Sequence, residues 1–257
     1  MKVIGIGGIF FKSEQADKLA LWYNEHLGIG PTLPWAEVEN KTAHDTVWKT
    51  LHGNANVFEG TNKNLVINYL VDDLDGLLEK LRVDSVTAKK IIDSDGKGKS
   101  ASILDPEGNK CILWESNGGE PKIAATNPRK VTGLGGVFFK SSNPKELNQW
   151  YAEHLGIEAT QWGCNFLWHD ANNPNERVPA ITVWNPFAED TTYFNPGKSD
   201  FMFNYRVLNL VELLKTLEAS GVQLAGTMEE FSYGKFGWII DPDGNKIELW
   251  EPIDDGF

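Results

Sequence analysis

The sequence predicts an α+β fold that is built twice within one chain, and three observations carry the prediction. Residues 5–30 return as residues 133–158 with more than half of the positions identical, and residues 103–116 return as residues 239–252. In both copies, short runs rich in β-branched and aromatic residues alternate with stretches of helical periodicity. Both copies also contain the turn sequence D-P-[DE]-G-N-K. A repeat of this length sets the architecture before any single residue is given a role.

The spacing between equivalent residues locates an insertion in the second copy. Gly5 and Gly133 lie 128 positions apart, whereas Trp48 and Trp184 lie 136 apart, so the second copy has eight additional residues. They fall between residues 158 and 182. The Asn- and Pro-rich stretch 171–177 has the composition of a loop, and we expect the insertion there.

Each copy divides into two half-units of a strand, a helix and further strands. Residues 3–11 suit a strand, and the helix after it should end at a glycine, Gly28 or Gly156. The helix starts are predicted at small polar residues that can accept hydrogen bonds from the first free amides, namely Ser13 or Gln15 and, before Pro144, Ser142 or Asn143. The predicted domains are residues 1–118 and 131–257, joined by a linker at 119–130.

The second half-unit of each copy follows the same plan. Residues 65–71 and 201–207 read as strands, and an amphipathic helix follows each of them. A hairpin then turns at the Asp-Pro-x-Gly sequence, because Pro presets one backbone angle and Gly accepts a positive φ.

Composition limits the class of protein. The chain has 257 residues, 41% of them hydrophobic, and a net charge of -12. No apolar run approaches the length of a membrane span, and a strongly negative chain would be repelled by nucleic acid. The two cysteines occupy non-equivalent positions, which predicts a reduced, cytoplasmic protein without a duplicated disulfide. A monomer is favoured over a homodimer, since duplication can satisfy within one chain the pairing that single-copy proteins make between chains.

The order of motifs resembles the vicinal oxygen chelate superfamily, which includes glyoxalase I, bleomycin-resistance proteins and extradiol dioxygenases. Both copies show a helix ending W-Y-x-E-H-L-G, a T-V-W strand, an N-Y-x-V strand and D-P-[DE]-G-N-K-x-x-L-W-E. The resemblance implies four βαβββ modules that form two open, cup-shaped mixed sheets with helices outside. In the catalytic members, His, Glu or Gln side chains from the cup hold a divalent metal, which acts as a Lewis acid.

The positions that correspond to those ligands are mostly occupied by other residue types. The first falls on Gly8 and Gly136, the second on Val66 and Met202, and the third on Ile112 and Glu248. Only Glu248 is a usual metal ligand, and such sites ordinarily need three protein ligands. The sequence analysis therefore expects no metal ligand set and no cofactor, with a divalent metal as the alternative.

Strand alternation selects the side chains that would line the second cup, because residues two apart share a face. Apolar and aromatic walls with a few polar groups are typical of a small-molecule site. The candidate ligand-binding residues that alternation selects are Phe138, Lys140, Met202, Asn204, Arg206, Glu248 and Trp250. Trp184 and Trp238 are added as nearby candidates. In the alternative interpretation the cup is filled by its own side chains, and Glu248 pairs with Lys140 or Arg206. Four tryptophans without a counterpart in the other copy are further candidates for ligand contact: Trp35, Trp162, Trp168 and Trp238.

The leading functional hypothesis is a glyoxalase/bleomycin-resistance-like protein that binds a small organic molecule in the second cup without a tightly bound metal. The alternative is a metal-dependent lyase, isomerase or dioxygenase of the same superfamily, in which Glu248 would be the catalytic residue. A duplicated scaffold without a ligand is the third interpretation. The first copy lacks the acid and reads as a scaffold.

Overall fold

The computed structural model describes residues 1–92, 98–117, 130–171 and 178–253. The elements of the first copy are β1 (Val3–Lys12), α1 (Ala16–Leu27), β2 (Thr32–Ala36), β3 (Ala43–Leu51), β4 (Leu65–Val71), α2 (Leu74–Val83), β5 (Lys89–Ile92), β6 (Gly98–Leu104) and β7 (Lys110–Ser116). Those of the second are β8 (Val131–Ser141), α3 (Pro144–Leu155), β9 (Cys164–Asp170), β10 (Ala180–Ala188), β11 (Phe201–Val207), α4 (Leu210–Ala219), β12 (Gln223–Leu224), β13 (Glu229–Phe231), β14 (Gly234–Ile240) and β15 (Lys246–Pro252). The predicted linker, apart from Lys130, lies outside the described residues, so the domain boundaries stay a prediction.

The strands pair in the same way in the two copies. β1 runs parallel to β3 on one side and antiparallel to β4 on the other, and β4 continues into β7 and β6. β8, β10, β11, β15 and β14 repeat this arrangement. The predicted α+β class with open mixed sheets is confirmed.

One pairing joins the two halves into a single sheet. β2 pairs antiparallel with β9, with Trp35 opposite Asp170 and Ala36 opposite His169. The result is one continuous 15-stranded sheet. The repeat predicted two separate cups, and nothing in the strand patterns indicated that the edge strands of the two cups pair with each other.

The helix ends follow from local chemistry. Gly28 and Gly156 cap α1 and α3 with φ of 70° and 69°, a left-handed conformation that favours glycine. Asn143 caps α3, where its side chain accepts from the Glu146 amide at 3.4 Å. Ser13 instead stabilises the approach to α1, accepting from the Gln15 amide at 3.1 Å.

The repeated tyrosine and aspartate of the two motifs hold the copies together. Tyr23 donates its hydroxyl to Asp241 at 2.9 Å, and Tyr151 donates to Asp105 at 3.0 Å. Each tyrosine comes from the first helix of one copy, and each aspartate from the D-P-x-G turn of the other. These side chains are buried, so the hydrogen bonds satisfy polar atoms that have left water.

The repeated tryptophans of the T-V-W strands make a second pair of contacts between the copies. Trp48 Nε1 donates to the Tyr205 hydroxyl at 2.7 Å, and Trp184 Nε1 donates to the Tyr69 hydroxyl at 2.9 Å. We call the contact region between the copies that is formed by Tyr23, Trp48, Tyr205 and Asp241 the first junction. The equivalent contact region formed by Tyr151, Trp184, Tyr69 and Asp105 is the second junction.

The predicted place of the insertion is only partly right. Trp35 lies opposite His44 in its hairpin, nine positions away, whereas Trp168 lies opposite Ala180, twelve positions away. Three of the eight extra residues therefore belong to the β9–β10 connection, and the other five precede Trp168. Residues 172–177 of that connection lie outside the described residues.

The same pairing corrects the assignment of Trp35 and Trp168 as tryptophans without a counterpart. Their indoles lie over Gly5 and Gly133, where an added Cβ would collide with the ring. The two tryptophans are therefore equivalent packing residues, and the five earlier inserted residues hid their equivalence in the sequence. Among the described residues, no helix is long and apolar enough to cross a membrane.

Candidate functional site

Gly136 and three candidate residues of the second copy lie in one row across adjacent strands. Gly136 on β8 is opposite Asn204 on β11, Asn204 is beside Glu248 on β15, and Glu248 is opposite Trp238 on β14. Neighbouring strands are separated by about 4.8 Å, so side chains in one row meet directly. Strand register alone thus brings the acid, the amide and the indole together.

Glu248 is the polar centre of this row and is only 2% exposed. Its Oε1 accepts from Asn204 Nδ2 at 2.6 Å, and its Oε2 accepts from Trp238 Nε1 at 2.8 Å. The Tyr193 hydroxyl also donates to Oε2. Burial raises the pKa of Glu248, while these hydrogen bonds act in the opposite direction. The predicted partners Lys140 and Arg206 are replaced by three uncharged donors.

Tyr193 closes the site from the connection between β10 and β11. Tyr193 is 37% exposed, and its ring stacks on Phe187 with centroids 5.6 Å apart. The Lys246 ammonium lies 5.1 Å from the ring centroids of both Tyr193 and Trp238, and it donates to the Tyr193 carbonyl at 2.8 Å. Tyr193 therefore separates a buried carboxyl group from the solvent.

Aromatic packing fills the rest of the cup. Phe138, Met202 and Trp238 form one buried cluster with Phe194. The Phe138 ring folds back over Gly136, where an ideal Cβ would lie 2.6 Å from the ring. A glycine at this position is what allows the ring to occupy the floor of the cup.

The remaining candidates lie outside this cluster. Arg206 is placed with its guanidinium 5.0 Å from the Trp250 ring and 5.9 Å from the Trp168 ring, further along the sheet. Lys140 lies 3.9 Å from Asp200. Trp184 is fully buried in the second junction, on the helix side of the sheet, because its indole is directed to Tyr69.

Sequence reasoning missed Tyr193, although a signal for it exists. With the offset of 136, Tyr193, Trp238 and Glu248 correspond to Val57, Ser102 and Ile112. The acid and two of its donors are therefore all replaced in the first copy. A search for positions that differ between the two copies along with Glu248 would have identified Tyr193 as its hydrogen-bond donor.

Two hollows meet at the mouth of the second cup. One has a volume of about 550 Å³ and the other about 1000 Å³, and Tyr193, Tyr233 and Phe236 line both. Tyr233 is 42% exposed and stacks on Phe231 with ring centroids 5.3 Å apart. Phe236 stacks on Trp250 at 5.8 Å. Tyr193, Phe231 and Tyr233 therefore form an exposed aromatic surface at the mouth of the cup.

Several solved structures are similar to the chain over almost its whole length. A 2,2',3-trihydroxybiphenyl 1,2-dioxygenase from Sphingomonas wittichii strain RW1 aligns with 13% identity and a TM-score of 0.62, covering 99% of this chain and 93% of that one. A Mn(II)-bound glyoxalase from Novosphingobium aromaticivorans aligns with 14% identity and a TM-score of 0.61, covering 98% and 84%. A homoprotocatechuate 2,3-dioxygenase from Arthrobacter globiformis aligns with 12% identity and a TM-score of 0.61, covering 100% and 82%.

These likenesses establish the fold. The chain has the fold of these dioxygenases and of this glyoxalase, as the motif resemblance implied. The sequence matches no protein-family model and no curated protein.

The expectation that no cofactor is involved needs correction. One structure with this fold is a Mn(II)-bound glyoxalase, so the neighbours point to a divalent metal rather than to none. At the three positions where the resemblance places ligands, however, the second cup has Gly136, Met202 and Glu248, and Glu248 is held by three donors. Among the described residues, no three His, Cys, Asp or Glu side chains are placed to share a metal ion. These residues do not fit the metal.

The raised pKa of Glu248 predicts a pH-dependent stability. Its ordinary value is 4.5. Because the pKa in the folded protein is higher, the stability that the Glu248 carboxyl group contributes is fully present below pH 4.5. This contribution is lost as the pH rises through the raised pKa. Glu248→Gln should therefore flatten the decline of the melting temperature above pH 4.5. Thermal unfolding of the wild-type and Glu248→Gln proteins over a pH series measures this difference. Asp105 and Asp241 are present in both proteins, so their titration contributes equally to the two curves. Parallel curves would contradict the assignment.

Proposed function

We propose that the chain binds a small planar aromatic molecule at the mouth of its second cup. The observation that carries the proposal is the set of aromatic rings shared by the two hollows: Tyr193, Tyr233 and Phe236. Flat rings offer a large contact area, and each offset or edge-to-face pair contributes about 0.5–1.5 kcal/mol beyond its area. A monomer is part of the proposal, because the Tyr23–Asp241 and Tyr151–Asp105 contacts join the copies within one chain.

The buried acid supplies the polar selectivity in this proposal. Tyr193 donates to Glu248 from the solvent side, so a ligand hydroxyl or N–H that takes the place of the Tyr193 hydroxyl can donate to the same oxygen. Asn204 and Trp238 continue to donate to the carboxylate and hold it in place. A ligand without a donor would leave a buried acceptor less well satisfied, at a cost of about 1–3 kcal/mol. The favoured ligand is therefore a planar aromatic molecule with a hydroxyl or amine.

Titration with 2-naphthol tests the proposal. We expect it to bind with quenching of tryptophan fluorescence, naphthalene to bind at least about tenfold more weakly, and the saturated analogue 2-decalol not to bind. Tyr233→Ala and Phe236→Ala should each weaken 2-naphthol binding about tenfold. Isothermal titration calorimetry gives the dissociation constants.

The two asparagines provide a matched control. Asn204→Ala removes a donor to Glu248 and should weaken 2-naphthol binding, whereas Asn68→Ala at the equivalent position of the first copy should leave it unchanged. Equal losses of 2-naphthol affinity in the two variants would show that the cups bind the ligand jointly. Parallel titrations with EDTA and with added Mn²⁺ measure whether a divalent metal contributes. Binding that is indifferent to Tyr233 and Phe236 would overturn the proposed site.

A further inference from the structure

The two junctions between the copies are equivalent in plan but are filled differently. In the first junction, the Phe11 ring lies 5.7 Å from the Phe201 ring and 5.1 Å from the Phe203 ring, and all three are buried. With the offset of 136, the second junction has Leu65 and Ile67 where the first has Phe201 and Phe203. Two aromatic rings of the first junction thus have no counterpart in the second junction.

A cleft occupies the second junction. Its volume is about 440 Å³, within the range of small-molecule sites, and its apolar walls include Leu65, Ile67 and Phe139. At its base lie the hydroxyl of Tyr151 and the thiol of Cys111, 3.1 Å apart. Ile247 stands at the Cys111 position in the first junction. The cleft lies on the helix side of the sheet, away from the Glu248 network, since Tyr69 and Tyr151 belong to the second junction.

Both signs of charge are present on the rim. Lys140 lies 3.9 Å from Asp200, and Glu107 accepts hydrogen bonds from the Ser141 and Ser142 hydroxyls at 2.7 and 2.9 Å. Lys63 and Glu189 also line the cleft, and neither forms an ion pair with any residue that the structure describes. One cation and one anion are therefore available to a ligand.

We infer that this cleft is a second ligand site, which takes a zwitterion carrying a phenyl-sized group, as in an aromatic amino acid. The ring occupies the space that the Phe203 ring fills in the first junction. The carboxylate pairs with Lys63 and the ammonium pairs with Glu189. This inference does not depend on the proposed function of the cup, because the cleft shares no lining residue with the two hollows at the mouth of the cup.

Calorimetric titration with L-phenylalanine tests the inference. We expect it to bind to the wild-type chain, and 3-phenylpropionate and 2-phenylethylamine to bind at least about tenfold more weakly, since each lacks one charge-assisted contact. Ile67→Phe should abolish binding by restoring the missing ring. Phe203→Ile, the reverse exchange in the first junction, is the matched control and should leave L-phenylalanine binding at the cleft in place.

Further variants keep the test independent of folding and of the cup. Lys63→Met changes only a half-buried rim residue and should weaken L-phenylalanine binding about tenfold. Tyr233→Ala, at the mouth of the cup, should not change it. Failure of L-phenylalanine to bind, or binding that survives both Ile67→Phe and Lys63→Met, would overturn the site. Equal affinity for all three probes would overturn the zwitterion as its ligand class.

Discussion

Replacement of Glu248 by alanine should lower the free energy of unfolding by about 4 kcal/mol at mildly acidic pH. Asn204 Nδ2 and Trp238 Nε1 would each lose the acceptor that they have in the buried row, at about 1–3 kcal/mol each, and a cavity would remain. Denaturant unfolding monitored by circular dichroism measures the change. The effect should be larger at mildly acidic than at neutral pH, because stability from a group with a raised pKa is lost as the pH rises.

Glu248→Gln is the matched control and should cost less than about 1 kcal/mol. The glutamine carbonyl can accept from Tyr193 and Trp238, which both donate to the same oxygen of Glu248. Its amide can donate to Asn204 once that side chain turns over, because Asn204 Oδ1 is buried without a hydrogen-bond partner. If the alanine variant were as stable as the glutamine variant, hydrogen bonding to position 248 would not stabilise the cup.

Gly135→Ala should destabilise the chain by about 2 kcal/mol, the usual cost of overpacking a rigid site. An ideal Cβ at Gly135 would overlap Asn204 Oδ1 and lie 3.2 Å from Arg206 Cγ. Asn204 cannot withdraw without lengthening its 2.6 Å hydrogen bond to Glu248. Thermal unfolding should show a melting temperature lower by about 4–8 °C.

Gly7→Ala makes the equivalent change in the first copy and should be nearly neutral. Its Cβ would lie 3.5 Å from Asn68 Oδ1, an ordinary contact distance, and Ile112 stands where the second copy has its acid. A difference in melting temperature between the two variants would therefore measure how rigidly the hydrogen bonds around Glu248 hold the Asn204 side-chain amide. Equal melting temperatures would mean that Asn204 adjusts freely.

The sequence allowed the fold to be predicted in detail because the same local signals occur twice. The cap glycines Gly28 and Gly156, the Asn143 cap and the strand starts all depend on neighbours in the chain, and they lie where the pattern places them. The joining of β2 to β9 could not be predicted, because pairing between distant edge strands leaves no local periodicity.

The site was predictable only in part for a related reason. Strand alternation placed Asn204 and Glu248 on one face, since that relation follows from the pleat. Tyr193 comes from an irregular connection, and its contact with Glu248 depends on how that connection folds back. Trp184 was assigned to the cup, whereas its indole is drawn to the Tyr69 hydroxyl across the junction.

The contact between Tyr23 and Asp241 has a consequence for how the chain reaches its native state. The two residues are 218 positions apart, and Tyr23 is completely buried. During synthesis, the first helix therefore emerges long before the turn that covers its tyrosine. We expect the amino-terminal copy, while it waits, to present Tyr23 and Trp48 to the solvent, and we expect chaperones that bind apolar surface to retain it until residue 241 has left the ribosome. Because distant contacts of this kind slow folding, we expect the whole chain to fold more slowly than a single copy with only local contacts would.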